Sequence, residues 1–203
     1  MKRSGAKRDK GYSLVEMIIV LAIIAVVSGM SMLSITMIHS AKVKNASITF
    51  NSEVSTLITK SKNMNPVYNG PSGAQTFDGF ALKVYKKSSD TNYYCNLGYY
   101  NEDDTGKRDY FMFEENEVSL SKYAEIKFTG DLYDSNGAKS TVSQMVIGSS
   151  DGSGGSAQDV VYIVFDKRGV CLEGYGEYAF CKKRGGNQVA RVVIRQNGSH
   201  FSR

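Results

Sequence analysis

The chain is poor in the residues that the common hydrolytic enzymes need. Its 203 residues include only two histidines, His39 and His200, near opposite ends of the chain. No Ser-His-Asp or Cys-His arrangement can be argued from that spacing. A phosphate-binding glycine loop is also missing, because the glycines within 152–155 are not followed by a lysine and a helix. The sequence therefore predicts neither an enzyme nor a cofactor site.

Cysteine is scarce as well. The three residues, Cys95, Cys171 and Cys181, are separated by 76 and 10 positions, which matches no zinc motif, so no metal site is predicted. An odd number permits at most one intrachain disulfide. A hairpin could bring Cys171 and Cys181 together, and an oxidising compartment would permit a disulfide between them, so they are the candidate pair. Buried free thiols are the alternative, and the sequence leaves both open.

Acidic residues are missing from the C-terminal segment 182–203, which carries six basic residues. The chain as a whole has a net charge of +5, but residues 1–11 hold +4 of it, so the global charge does not indicate a nucleic-acid protein. The local cluster does allow phosphate contacts without sequence readout. A solvated strand face or an acidic neighbouring subunit is the alternative. The candidate DNA contacts are Lys182, Lys183, Arg184, Arg191 and Arg195, of which the last two share a strand face.

Formal charge is absent from residues 17–38, a run long enough to cross a bilayer as a helix. The basic residues before it are held in the cytoplasm by the positive-inside rule, which places the chain after residue 40 outside. There are two ordinary interpretations: a cleaved signal peptide, with small residues at Ser28, Gly29 and Ser31 as its cleavage site, and a plain signal anchor. Neither explains Glu16, a carboxylate inside the apolar helix that needs a partner.

A third interpretation supplies that partner. Residues 11–16, Gly-Tyr-Ser-Leu-Val-Glu, resemble the class III signal of type IV prepilins and pseudopilins, with Tyr12 in place of the more usual Phe. The resemblance implies cleavage by prepilin peptidase between Gly11 and Tyr12, and methylation of the new amine of Tyr12. It also implies an assembly charge pair, in which Glu16 meets the Tyr12 amine of a neighbouring subunit. Two charges that are costly alone then become a hydrogen-bonded pair.

Proline is absent from residues 12–65, so the helix is expected to continue beyond the apolar run. Apolar residues recur there at helical spacing, which predicts an amphipathic helix packed on its own domain. The predicted stripe consists of Val43, Ala46, Phe50, Val54 and Leu57. Pro66 marks its end. The predicted organisation is a cytoplasmic leader (1–11), a transmembrane and assembly helix (12–38), an amphipathic continuation (39–65) and a globular β-rich domain (66–203).

In the rest of the chain, apolar and polar residues alternate in the manner of β-strands. Segments 66–76 and 101–107 are predicted as loops. The fold class is α+β, a long N-terminal helix packed on an antiparallel sheet as in pilins. The eight predicted strands are 79–86, 92–100, 109–113, 125–129, 142–147, 160–165, 177–182 and 188–195.

The last third of the chain resembles H-type minor pseudopilins and FimT-like minor pilins. Three features carry this resemblance. They are a strand that ends in Phe165-Asp166 and is followed by Gly169, a hairpin at 177–181, and a last strand that runs to Gly198. It implies a structural, minor subunit of a type IV pilus or a type II secretion pseudopilus. The alternative that it implies is a DNA-binding tip minor pilin in natural competence.

The expected partners follow from the same resemblance. They are prepilin peptidase, other pilin or pseudopilin subunits, the inner-membrane assembly platform and the lipid bilayer, with DNA only under the alternative. The expected location is the cytoplasmic membrane, which the chain crosses once with its N-terminus inside. After filament assembly the domain is expected to be periplasmic or extracellular.

Overall fold

The computed structural model describes residues 13–71, 73–87, 91–133, 139–148, 160–183 and 186–203, except for the side chains of 30–34, 114 and 133. One helix, α1 (Leu14–Asn63), opens this part of the chain. The chain divides into two compact units, of which the first ends at Ile38 and the second begins at His39. The predicted α+β class is confirmed, because α1 is followed by antiparallel sheets.

In the second unit, the helical residues 39–63 bury one stripe of side chains. The spacing of three and four residues puts them on one face of the helix. Phe50 lies at the centre of the stripe, with its ring centroid 4.9 Å from that of Tyr178 and 5.7 Å from that of Phe180. The predicted stripe is confirmed, since its members are at most 1% exposed: Val43, Ala46, Phe50, Val54 and Leu57.

Two antiparallel sheets and a separate hairpin make up the β-structure of the described residues. The strands are β1 (Val67–Gly70), β2 (Gly73–Thr76), β3 (Gly79–Lys86), β4 (Tyr93–Glu102), β5 (Arg108–Phe111), β6 (Glu117–Ser121), β7 (Ala124–Tyr133), β8 (Lys139–Val146), β9 (Val160–Phe165), β10 (Cys171–Glu173), β11 (Gly176–Lys182), β12 (Gln188–Ile194) and β13 (His200–Ser202). The hairpin pairs β1 with β2, where a loop was predicted. The larger sheet has the order β10-β9-β3-β4-β5, with β6 also paired to β4, and the other has the order β13-β12-β11-β7-β8.

The inner faces of both sheets and the buried helix stripe form one core. Successive side chains of a strand point to opposite faces of its sheet, so each sheet has one face that can turn inward. From the larger sheet come Leu82 and Ile163, and from the other come Phe128 and Val192, all fully buried. Each of the eight predicted strand segments contains a strand in the structure. The bounds of β3 and β9 match the prediction.

The two glycines of the subfamily resemblance meet in the fold. Gly169 ends the turn after β9, where its amide donates to the Asp166 carbonyl at 2.9 Å, and Gly198 lies in the turn between β12 and β13. Both have positive φ, 86° and 81°, which glycine adopts at no steric cost. A β-carbon on Gly198 would collide with the carbonyl oxygen of Gly169. The close approach of these two turns therefore requires glycine at position 198.

Candidate functional site

The start of α1 combines a helix cap with an exposed apolar surface. The amide of Val15 donates to the Ser13 hydroxyl at 3.3 Å, so Ser13 caps the helix and Glu16 occupies the third helical position. An acidic side chain in the first turn also complements the helix dipole. The side chains around Glu16 are exposed, with Leu14 at 75%, Val15 at 62% and Ile18 at 57%. An apolar surface of this kind marks a contact with another protein or with lipid.

The predicted processing residues stand just before this region. Gly11 and Tyr12, the predicted cleavage and methylation positions, lie outside the described residues. Glu16 lies within them, on an exposed turn of α1. Among the described residues, the structure offers no helix with the length and apolarity needed to cross a membrane.

The candidate disulfide is not formed. Cys171 and Cys181 are both buried free thiols, and so is Cys95. The hairpin expected to join them is absent, because Cys171 lies in β10 of the larger sheet and Cys181 in β11 of the other. The Cys171 thiol instead donates to the carbonyl of Glu173 at 3.2 Å. Burial raises the pKa of Cys171 to about 12 and also raises that of Cys181.

The basic C-terminal residues do not form a single patch. Arg184 lies outside the described residues. Lys182 and Lys183 follow one another at the end of β11, whereas Arg195 follows the opposite end of the neighbouring strand β12. Six residue steps of extended chain separate these ends, or about 20 Å. Arg191 lies between them, and its guanidinium pairs with Glu177 at 3.5 Å.

A smaller cluster forms around Phe201, which the sequence had not singled out. The guanidinium carbons of Arg195 and Arg203 lie 5.5 and 5.6 Å from the centroid of the Phe201 ring. Arg191 and Arg203 exchange two backbone hydrogen bonds, of 2.8 and 2.9 Å, so their side chains are neighbours. A sequence signal available for finding this cluster was the Asn-Gly turn at 197–198, which precedes Phe201. Such an arrangement offers cations for phosphate and a ring for a base.

A buried ionic network ties β5 to β10. The Glu173 carboxylate, 4% exposed, accepts hydrogen bonds from Tyr110 at 2.6 Å and from Arg108 at 3.2 Å. Arg108 also donates to Glu102 at 2.8 Å, and the Tyr110 ring stacks on Tyr162 with a centroid distance of 3.7 Å. Burial raises the pKa of Glu173 despite these partners. Because every contact is internal, the network holds the fold together.

Comparison with known proteins identifies the N-terminal region. Residues 6–32 match the model of the prokaryotic N-terminal methylation motif, which is the class III signal of type IV pilins and pseudopilins. No curated protein and no solved structure matches the chain. The motif supports a type IV pilin-like or pseudopilin-like protein, and it indicates a structural role. It implies processing by prepilin peptidase and assembly with other pilins.

Proposed function

We propose that this chain is a minor structural subunit of a type IV pilus or a type II secretion pseudopilus, assembled through its N-terminal helix. The observation that carries the proposal is the methylation motif at residues 6–32. Cleavage after Gly11 frees the amine of Tyr12, and Glu16 of one subunit pairs with the Tyr12 amine of the next. This pairing sets the axial register more sharply than apolar contacts, which slide easily.

The proposed organisation follows from the motif and from the uncharged run at 17–38. Residues 1–11 are the cytoplasmic leader, and 12–38 cross the cytoplasmic membrane once before assembly. Residues 39–65 carry the continuation of the helix, which ends at Asn63, and 66–203 form the domain outside. The exposed apolar side chains of the first part of α1 support this proposal, because lipid or neighbouring helices would cover them. The inner-membrane assembly platform then draws the subunit from the bilayer into the filament.

N-terminal analysis of the protein purified from its native host tests this proposal. We expect a mature chain that begins at Tyr12 and carries a methylated amine. Cells without prepilin peptidase serve as the control, and they should retain the first eleven residues. A natural product that keeps its leader, or that has lost the whole segment 12–38, would overturn the proposal.

A second function, DNA binding at the tip of a competence pilus, is supported by the Phe201 cluster. Arg195 and Arg203 can contact phosphates while Phe201 stacks on a base. The processed chain in detergent should bind single-stranded DNA with an affinity that falls as salt rises. Loss of two phosphate contacts should reduce the slope of log K against log salt by about 1.4.

The variant for this test is Arg195→Glu combined with Arg203→Glu. Its matched control reverses two exposed cations elsewhere, Lys107→Glu with Lys167→Glu. We expect only the first pair to lower affinity. If the unaltered chain does not retain DNA at low salt, the proposed DNA-binding function is wrong.

A further inference from the structure

The second unit carries a cluster of cations around one aromatic ring at the start of its helical segment. The imidazole of His39 stacks on Tyr123, with the ring centroids 4.6 Å apart. The ammonium groups of Lys42 and Lys122 lie 4.4 and 5.4 Å from the centroid of the same ring. Both lysines are exposed. His39, Lys42, Lys122 and Tyr123 are called the Tyr123 cluster below.

The backbone places another cation beside this cluster. The amide of Lys183 donates to the carbonyl of Tyr123 at 3.2 Å, and its ammonium donates to the carbonyl of Thr91 at 3.0 Å. An open cleft of about 390 Å³ adjoins the cluster, with Lys42, Lys122 and Tyr123 in its lining. Positive charge is therefore present at one edge of the unit, where β11 ends and where β4 and β7 begin.

Carboxylates do not neutralise the two exposed lysines within the described parts of the chain. Neither Lys42 nor Lys122 takes part in an ion pair there, at distances up to 4.0 Å. The acidic residues closest along the chain to Lys122 are engaged elsewhere: Glu125 with Lys127 at 3.5 Å, and Glu117 with Lys87 at 2.6 Å. The cluster consequently keeps a net positive charge and favours an anionic partner.

The position of the cluster along the chain selects the kind of anion. His39 directly follows Ile38, the last residue of the uncharged run that begins at Met17. If this run crosses the bilayer, as the proposed function holds, His39 emerges among the phospholipid headgroups. Tyrosine is one of the residues that membrane proteins place at both bilayer interfaces. Lysines close to an anionic bilayer surface are attracted to it.

We propose that the Tyr123 cluster binds the phosphates of anionic phospholipid headgroups while the subunit is held in the membrane. The inference rests on the proposed function, since it needs a membrane-held chain. Lys42 and Lys122 contact the phosphates, and Tyr123 orients both ammonium groups through its ring face. The attraction is screened by salt and is broken without covalent change, so the contact is compatible with extraction of the subunit into a filament.

The test places the full mature chain in nanodiscs of phosphatidylcholine, with or without phosphatidylglycerol. Lysine acylation followed by mass spectrometry measures the accessibility of each ammonium group. We expect Lys42 and Lys122 to react about tenfold more slowly in the anionic discs, a loss of rate that high salt reverses. The exposed lysines Lys107 and Lys167 are internal controls, and their rates should not depend on the lipid.

Charge reversal gives an independent measurement. The double variant Lys42→Glu with Lys122→Glu should retain few phosphatidylglycerol molecules in native mass spectrometry, whereas Lys107→Glu with Lys167→Glu should retain as many as the unaltered chain. Equal thermal unfolding midpoints show that both variants keep the fold. Equal retention by the two variants would overturn the inference.

The outcomes separate this inference from the proposed function. A chain that neither disc retains overturns both. A chain that is retained, but whose Lys42 and Lys122 react equally in the two lipids, overturns only the headgroup contact. Protection that requires two chains in one disc also overturns it, because a second copy of the chain would then be the partner.

Discussion

The two parts of α1 use apolar residues in opposite ways. In the described residues before position 39 the apolar side chains are exposed, with Ile18 at 57% and Ile24 at 54%, whereas Phe50 and Leu57 in the second part are fully buried. The difference lies in the pattern. Residues 17–27 are apolar at every position, so no single domain face could cover them. In residues 39–63 the buried apolar side chains lie on one stripe.

Under the proposed function, the second part of the helix serves folding and the first part serves assembly. The second part of α1 stabilises the domain of its own chain, because its stripe lies in the core. The first part carries the methylation motif and has exposed apolar side chains, which contact lipid or neighbouring subunits under the proposed function. Substitutions in the two parts should therefore affect different measurements, and the tests below are arranged from the largest expected effect to the smallest.

The strongest test compares two glutamates of α1. Glu16→Gln should lower incorporation into filaments by at least about tenfold, because the amine of a neighbouring subunit would lose its charged partner. Glu53→Gln, in the second part, should assemble normally. Incorporation is measured by quantifying each variant in sheared filaments and in membranes of the native host. Normal assembly of Glu16→Gln would show that the proposed charge pair does not operate.

The second test compares two apolar residues. Phe50→Ala should destabilise the domain by about 3–5 kcal/mol, because it leaves a cavity between the rings of Tyr178 and Phe180. Ile24→Ala removes an exposed side chain and should change the free energy of unfolding by less than about 0.5 kcal/mol. Urea unfolding of the full chain in detergent measures both. Equal losses of unfolding free energy in the two variants would contradict the distinction between the two parts of α1.

A third test concerns a buried carboxylate, in contrast to the exposed Glu16. Burial raises the folded-state pKa of Glu173 above its ordinary value of 4.5, so folding favours the protonated form. Its contribution to stability is complete below pH 4.5 and is lost as the pH rises through the folded pKa. The loss is about 1.4 kcal/mol for each unit by which the pKa is raised.

Glu173→Gln isolates this effect from the other titrating groups. Subtracting the stability profile of the variant from that of the unaltered chain should leave a curve that falls with pH above 4.5. A difference curve for Glu173 that rises with pH would mean that Arg108 outweighs desolvation.

The smallest effect is expected from the cysteines, all of which lie in the second unit. The native chain should contain three free thiols, and Cys171 should be alkylated more slowly than an exposed thiol, because burial raises its pKa to about 12. Unfolding should make all three react. Peptide mapping without reductant checks this prediction, and a Cys171–Cys181 crosslink in the native protein would contradict it.

Sequence patterns predicted the long, well-patterned elements of this fold. In β3 and β9, apolar residues either alternate with polar ones or form a continuous run over six to eight residues. The bounds of both strands were predicted without error. The missed strands are short or polar. All four residues of β2 are exposed, and it is a strand because it pairs with β1. The strands β10 and β13 have only three residues each, too few for a periodic pattern.

The candidate sites were predictable to different degrees for a related reason. Glu16 and its helix cap lie within six consecutive residues, so a short motif reveals them. The basic C-terminal residues were correctly seen as a group along the chain, but strand register separates Lys182 from Arg195. His39 and Tyr123 are brought together only by packing of α1 against the β-structure of its own unit.

Two properties of this protein follow from the order of its residues alone: the signal at its N-terminus and the change from an all-apolar to a one-sided helix. Both depend on neighbours within a few turns of one helix. The separation of Cys171 from Cys181 and the convergence of His39 and Lys122 on Tyr123 were decided by tertiary structure. These depend on pairing between segments distant in the chain, where strand register and core packing choose which surfaces meet.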